Sequence, residues 1–342
     1  MFVFNLNLSE TLHNFLFPAE KQAGRFSLLC LAAVVLIFLA IGPAATLRPI
    51  QEQDEGRYSE VAREMLLYGQ WLLPHQNGVP HLSKPPLYYN LSALTIRFFG
   101  KNAFAFRFVS LAGFTAMVLA GMAWARERRG TGAERLVLWI SLSMFQPVFA
   151  AQFADLNTLL TCTVTLGLLM LFEGLDRESR AAWILGWLFL GVAFMVKGPP
   201  ALIIPLGTLI LFRVLSGRPL NIHPALWAAG LAVFAVVALP WYLWILKQYK
   251  GAILEFWFGD ALRRTALGSS ARKFHYYFYY PPVFLVMTSG WGVFMLILLA
   301  RSIRARLEPG RWPRIQAAWR AVRALPHDEL WLLCWLVFTI LF

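Results

Sequence analysis

Long apolar runs recur along the 342-residue chain and are separated by short polar segments. The clearest run, 26–47, has about the length that a helix needs to cross a bilayer, roughly 20 residues. The pattern predicts spanning helices near 26–47, 104–125, 136–153, 156–175, 181–197, 199–215, 225–246 and 280–300, with a further one that begins near 330. We therefore expect an all-α integral membrane protein of about nine spans.

The run 86–99 is different, because it is short and contains Asn90 and Arg97. Such a length is typical of a helix that lies on the membrane rather than through it. If it does not cross, and the N-terminus is cytoplasmic, the basic loops all fall on the cytoplasmic side, as the positive-inside rule requires. These loops are 126–135, 176–180, 213–218 and 301–323.

The same alternation gathers four polar features on the outer face. They are the loop 48–103, the turn at Asp155, the turn at Lys197 and the loop 247–279. The last apolar run stops at residue 342, too short to cross, so we expect a fragment of a longer protein with one transmembrane domain over 1–342. The polar-interrupted segment 1–20 predicts no cleaved signal peptide.

Composition agrees with a membrane protein and narrows its partners. Hydrophobic residues make up 58% of the chain and charged residues 14%, with a net charge of +13. No zinc-finger spacing or RNA-binding signature accompanies the basic excess, which favours membrane topology and lipid headgroups over nucleic acid. The cysteines, Cys30, Cys162 and Cys334, lie inside apolar runs, so no disulfide framework is expected.

The stretch QEQDEGRYSEVAREML, 51–66, carries apolar residues at helical spacing, with charged and polar residues opposite. It predicts an amphipathic helix on the membrane surface. Asp54 and Glu55 stand at its N-terminal end, where an acid either caps the helix and complements its dipole or serves in a site. The apolar face comprises Tyr58, Val61, Ala62, Met65 and Leu66, and the polar face Ser59, Glu60, Arg63 and Glu64.

The segment that follows predicts a tight turn at Asn77-Gly78 and then reaches SKPP, 83–86. Lys84 sits at the water boundary, where a lysine either extends toward water or binds an anion. His75 and His81 flank the turn, but no carboxylate or cysteine stands nearby, so a metal site is not favoured.

Ionisable residues also stand at the outer ends of later spans. Asp155 in AAQFADLNTLL and Lys197 in FMVKGPP are placed either to reach water or to line a functional cavity. The outer loop 247–279 carries six Lys and Arg against two acids, contrary to the positive-inside rule. Cations on this face predict an anionic ligand, most simply a phosphate.

Five segments, in order over about residues 40 to 300, resemble a family of bacterial membrane glycosyltransferases. The family is the lipid A 4-amino-4-deoxy-L-arabinose transferase-like group of the GT-C superfamily, which is related to protein O-mannosyltransferases. The segments are DEGRYSEVAREML, KPPLYY, the aspartate of FADLNTLL, VKGPPALIIPL and LPWYLW. The D-E-x-R-Y-x-E and K-P-P pair is the specific part.

The resemblance implies a GT-C-type helical bundle that transfers a sugar from a polyprenyl (undecaprenyl) phosphate donor. The acceptor would be lipid A or another envelope molecule, at the periplasmic face of the bacterial inner membrane. It implies catalytic or sugar-orienting roles for Asp54, Glu55 and Asp155. It implies donor-binding roles for Arg57, Tyr58, Lys84, Lys197, Arg263 and Arg264.

Two departures bear on what is carried over. Family members often place a metal-binding glutamate immediately before the K-P-P lysine, whereas this chain has Ser83, so no metal cofactor is expected. Members of the family also continue past the point where this chain ends, into further spans and usually a C-terminal periplasmic domain.

Three alternatives stay open at this point. Protein O-mannosyl transfer to a hydroxyl shares the Asp-Glu feature. A transporter of a lipid-linked substrate would carry charges within its spans and interrupted helices in matching halves, whereas the ionisable residues here gather on one face and no similarity between halves is evident. A purely structural scaffold would not account for the cationic outer loop.

Overall fold

The computed structural model describes residues 20–50, 53–217, 220–249, 282–305 and 322–341. It is a helical bundle, as the sequence predicts. In chain order the helices are α1 (Glu20–Leu47), α2 (Gln53–Tyr68), α3 (Leu87–Phe99), α4 (Ala103–Arg129), α5 (Ala133–Ser143), α6 (Phe145–Ala150), α7 (Leu156–Asp176), α8 (Arg180–Lys197), α9 (Pro200–Ser216), α10 (Pro224–Gln248), α11 (Trp291–Ala305) and α12 (His327–Leu341). Two short strands, β1 (His75–Gln76) and β2 (Val79–Pro80), stand between α2 and α3.

Five of the described helices are long and apolar enough to cross a membrane. They are Gly24–Leu47 of α1, together with α4, α7, α8 and α10. The shorter α9 is also apolar. These helices match predicted spans closely, because an uninterrupted apolar run is the strongest local signal for a transmembrane helix.

Two predicted spans are wrong as single helices. The run 280–300 is interrupted by a turn at 288–290, where Ser289 and Gly290 have positive φ, and α11 begins only at Trp291. The run 136–153 is divided into α5 and α6, which are separated at Met144 in an extended conformation. Pro147 lies just beyond the break; a proline lacks the N–H that would bond the carbonyl of residue 143, and its ring clashes with that carbonyl. Together α5 and α6 still lead from the end of α4 back toward the start of α7.

Charged residues at one end of the bundle join neighbouring helices. At one end of the bundle, Arg128 of α4 binds Glu173 of α7, with 2.6 Å between Nη2 and Oε1. Arg129 binds Asp328 of α12, and Arg323 donates to the carbonyl of Val214 in α9. The basic loops predicted to share one face are therefore neighbours, as far as they are described.

The segment 53–99 packs over the opposite end of α4. Tyr58, Val61, Ala62 and Met65 of α2 are buried, as the apolar stripe predicts. Glu64, expected on the solvated face, is also buried, because its Oε2 accepts from the N–H of Gly78 in the hairpin. The hairpin thus covers part of the polar face of α2. The sequence predicts that only the apolar face of this helix is buried, and that prediction is incomplete.

The turn and the short helix of this segment agree with the sequence. Asn77 and Gly78 both have positive φ, 54° and 75°, as a two-residue hairpin turn requires. Helix α3 has 13 residues, about 20 Å, which is too short to cross a bilayer. It packs against α2 and α4 through Tyr88, Tyr89 and Ala93, in agreement with its prediction as a segment that does not span.

Candidate active site

Asp54 and Arg57 form an ion pair on the first turns of α2. The helix begins at Gln53, so Asp54 lies within its first turn, and its Oδ1 accepts from Arg57 Nη2 at 2.5 Å. The Asp54 side chain remains 63% exposed. Arg57 also lies 3.4 Å from the Tyr58 hydroxyl through the same Nη2. The pair is therefore accessible to a ligand, unlike most of α2.

Asp155 and Lys197 come together from two other helices. Asp155 is the N-cap of α7, and its Oδ1 accepts from the backbone N–H of Asn157 at 3.2 Å. Lys197 is the last residue of α8, and its ammonium donates to the Asn157 side-chain oxygen. A cation and an acid predicted separately from the sequence thus share one neighbour.

Tyr58 links these two pairs electrostatically. Burial raises the pKa of Tyr58, and the carboxylates of Asp54 and Asp155 raise it further, while Arg57 opposes them. Arg57 Nη2 contacts both Asp54 Oδ1 and the Tyr58 hydroxyl, and Tyr58 shares one apolar cluster with Leu156 and Val196, the neighbours of Asp155 and Lys197. The ring of Tyr58 packs at the edge of Tyr88, with ring centroids 6.1 Å apart. Five sequence-predicted residues are thus brought to one end of the bundle: Asp54, Arg57, Tyr58, Asp155 and Lys197.

Lys84 belongs to the same end, next to His81. Burial lowers the pKa of His81 to about 4, and the positive charges of Arg57 and Lys84 add to this effect. His81 is therefore neutral at neutral pH. Its Nε2 lies 2.8 Å from Ser83 Oγ and 3.3 Å from the Tyr89 hydroxyl. Lys84 is half-buried and stands on the loop that leads into α3.

The residues next to Lys84 do not fit a metal ion. Ser83, immediately before Lys84, is hydrogen-bonded to His81. His75 Nδ1 instead lies 2.9 Å from the carbonyl of Leu73. In the part of the chain that the structure describes, no three His, Cys, Asp or Glu side chains gather as metal ligands. The expectation of a metal-free site stays a prediction.

Glu55 lies in a different environment from Asp54. It is buried, and both of its oxygens accept from Arg107 of α4, at 2.7 Å from Nε and 2.8 Å from Nη2. Its Oε1 also accepts from the backbone N–H of Ala154, immediately before Asp155. Glu55 was predicted among the catalytic residues, but its carboxylate is directed into the protein and joins α2 to the segment that carries Asp155.

Arg107 is a residue beside the candidate site that sequence reasoning missed. Its side chain is fully buried, and its other N–H groups donate to the carbonyls of Ala45, Arg48 and Pro49. All five donors of the guanidinium are thereby used. Arg107 holds the end of α1, the start of α2 and the start of α4 together. An arginine inside an apolar span, FAFRFVSLAGF, was the available signal, because such charges are costly and need a partner.

Arg263, Arg264 and nearly all of the loop 247–279 are outside the described residues. The PWY segment of α10 contacts the segment that follows α2 and also helix α8: Trp241 Nε1 donates to the carbonyl of Leu72, and the Tyr242 hydroxyl donates to the carbonyl of Phe194.

A cavity lined by Phe172, Asp176, Phe212 and His327 lies at the opposite end of the bundle, away from Asp54.

This arrangement suits an anionic ligand that reacts beside carboxylates. The ammonium groups of Lys84 and Lys197 and the guanidinium of Arg57 offer donors to a phosphate. Asp54 and Asp155 offer acceptors to the hydroxyl or amino groups of a polar substrate. Hydrogen bonds of this kind strengthen where water is partly excluded, as around Lys84, Asp155 and Lys197, which are half-buried.

Known proteins are similar to this chain over most of its length. A family model described as dolichyl-phosphate-mannose-protein mannosyltransferase matches residues 83–244. Undecaprenyl phosphate-alpha-4-amino-4-deoxy-L-arabinose arabinosyl transferases are also similar. One from Pseudomonas fluorescens is 28% identical over 86% of this chain and 52% of that protein. One from Pseudomonas aeruginosa is 31% identical over 70% of this chain and 44% of that protein. The chain spans about half the length of these relatives.

A solved structure has the same fold. ArnT from Cupriavidus metallidurans, crystallised with bound undecaprenyl phosphate, superposes with a TM-score of 0.70 at 21% identity. The match covers 93% of this chain and 60% of that chain. The predicted fold class and the resemblance drawn from the five sequence segments are both confirmed. The chain is therefore similar, over most of its length, to the lipid A 4-amino-4-deoxy-L-arabinose transferase-like proteins, and it shares the fold of one of them.

Proposed function

We propose that this chain transfers a sugar, 4-amino-4-deoxy-L-arabinose or a related one, from a polyprenyl phosphate donor to lipid A. The observation that carries the proposal is the meeting of the Asp54–Arg57 pair, Asp155 and Lys197 at one end of the bundle. Support also comes from the names of relatives, which are undecaprenyl phosphate-aminoarabinose transferases, and from undecaprenyl phosphate bound to a protein of the same fold.

In this reaction the bond between the sugar C1 and the donor phosphate oxygen breaks, and a bond from C1 to an acceptor oxygen forms. The departing polyprenyl phosphate gains negative charge, which nearby cations stabilise more strongly as water is excluded. We assign that task to Lys84 and Lys197, with Arg57 beside them. Arg263 and Arg264 are further candidates from the sequence.

The acceptor decides what Asp54 does. A phosphate group of lipid A is already ionised and needs no base, so Asp54 would orient the sugar or bind its amine. A hydroxyl acceptor needs a general base within reach of its proton. We assign Asp155 to the same substrate-facing group, and Glu55 to positioning, because its oxygens are held by Arg107.

The second candidate is transfer of mannose to a protein hydroxyl. It is favoured by the match of residues 83–244 to a protein mannosyltransferase model. Purified full chain, given a labelled aminoarabinose or mannose donor with lipid A or a hydroxyl-rich peptide, distinguishes the two. Label on lipid A supports the first candidate, and label on the peptide supports the second.

We further propose that the site faces the periplasm and that the membrane is the bacterial inner membrane. The support is the positive-inside rule: the end of the bundle opposite Asp54 carries Arg126, Arg128, Arg129 and Arg177.

Single cysteines test this orientation. Val79→Cys in the hairpin, where Val79 is 64% exposed, should react with an impermeant thiol reagent in intact spheroplasts. Thr131→Cys, exposed in the loop after α4, should react only after permeabilisation. Wild type, with Cys162 and Cys334 buried and Cys30 partly buried, is the control. Labelling of Thr131→Cys in intact spheroplasts, with none of Val79→Cys, would reverse the proposed orientation.

A further inference from the structure

Asn157 stands between the acid and the cation of the candidate site. Its amide nitrogen donates to both oxygens of Asp155, at 2.8 and 3.1 Å, and its Oδ1 accepts from the Lys197 ammonium. The orientation of the amide follows from the charges on either side, since the donor end must face the carboxylate and the acceptor end the ammonium.

The contact is held by two closely packed helices. A Cβ added at Gly167 of α7 would lie 2.7 Å from Leu190 Cδ2 of α8. One added at Gly186 of α8 would lie 2.7 Å from Leu171 Cγ of α7. The two glycines therefore allow an approach that side chains would prevent. Asn157 at the start of α7 and Lys197 at the end of α8 are fixed relative to each other by this packing.

We propose that Asn157 is a positioning residue that separates the Lys197 ammonium from the Asp155 carboxylate. A direct ion pair would neutralise both groups and leave Lys197 a poor ligand for an anion. A neutral amide holds the ammonium in place through one of its three N–H groups. The other N–H groups of the ammonium can then bind the phosphate of the polyprenyl lipid. The same amide orients the Asp155 carboxylate by donating to both of its oxygens. This inference rests on the proposed function.

A carboxylate at position 157 should remove this effect while keeping the size of the side chain. Asn157→Asp would place a negative charge in contact with the Lys197 ammonium and next to the Asp155 carboxylate. We expect it to raise the Kd for undecaprenyl phosphate about tenfold or more, the scale of one charge-assisted hydrogen bond. Binding of undecaprenol, which lacks the phosphate, should be unchanged. Lys197→Met should remove the same preference for phosphate, and the double variant should lose little more, because the effect acts through Lys197.

The matched control is Asn77→Asp, the same change at the exposed hairpin turn on the same end of the molecule. Aspartate tolerates the left-handed backbone at this position. Kd values for both lipids would be measured with the full chain in nanodiscs. Equal loss for both lipids in Asn157→Asp would indicate a merely structural role and overturn the proposal, as would an unchanged preference for phosphate. Wild type that binds both lipids equally would contradict the proposed function itself.

Discussion

Asp54→Asn is expected to reduce sugar transfer about 100-fold or more and to leave the Kd for undecaprenyl phosphate unchanged. The amide keeps the shape of the side chain but cannot act as a base or form an ion pair with a protonated amine. Stability should hardly change, because the Asp54–Arg57 pair is largely exposed and such pairs contribute about 0–1 kcal/mol.

Lys84→Ala should instead weaken both lipid binding and turnover, since Lys84 is assigned to the phosphate.

The same helix offers a control for Asp54. Glu60 pairs with Arg63 at 2.6 Å and at the same i, i+3 spacing, also with partly exposed side chains. Glu60→Gln breaks an equivalent pair further along α2, so it should leave transfer within about twofold of wild type. If Asp54→Asn were as active as Glu60→Gln, Asp54 would only complement the helix dipole, a role in which loss of the charge costs little.

Arg107→Met is expected to destabilise the protein by about 3–5 kcal/mol, the cost of leaving one partner of a buried ion pair alone. Glu55 would remain buried without its partner, and the carbonyls of Ala45, Arg48 and Pro49 would lose their donor. Thermal unfolding of the purified chain measures the loss. Arg107→Met combined with Glu55→Gln should recover part of it, because the residues act as a unit.

The effect on the site separates Arg107 from an ordinary structural residue. Arg128 occupies a comparable buried network with Glu173 at the opposite end of the bundle. Arg128→Met should also lower stability, but its folded fraction should bind undecaprenyl phosphate like wild type. The folded fraction of Arg107→Met should bind the lipid more weakly. Equal affinity in the two variants would show that Arg107 does not position the site.

Local pattern was sufficient for most of the elements. Apolar runs identified the long helices, and the Asn77-Gly78 pair identified the hairpin turn, because each depends on neighbouring residues alone. The break at Met144 was missed, although Pro147 signalled it, because the apolar run continued through it. The amphipathic stripe of α2 was identified, but burial of Glu64 depends on the hairpin that folds over it.

The site was predicted less completely, because contacts between residues that are distant in the sequence leave no local pattern. Asp54, Asp155, Lys84 and Lys197 were found as charges at the ends of apolar runs. The partner of Glu55 is Arg107, 52 residues away, and no local pattern indicates that contact. Asn157 is neutral and exposed, so only its position between Asp155 and Lys197 gives it a role. Arg263 and Arg264 stay predictions from the resemblance.

The most direct measurement is transfer by the purified full chain of labelled aminoarabinose from undecaprenyl phosphate to lipid A. We expect labelled lipid A with the wild type and with Glu60→Gln, and almost none with Asp54→Asn. The account predicts that excess unlabelled undecaprenyl phosphate will inhibit the reaction, since it would occupy the site of Lys84 and Lys197. Wild type that leaves lipid A unlabelled while it labels a protein hydroxyl, or an Asp54→Asn variant that transfers at the wild-type rate, would contradict it.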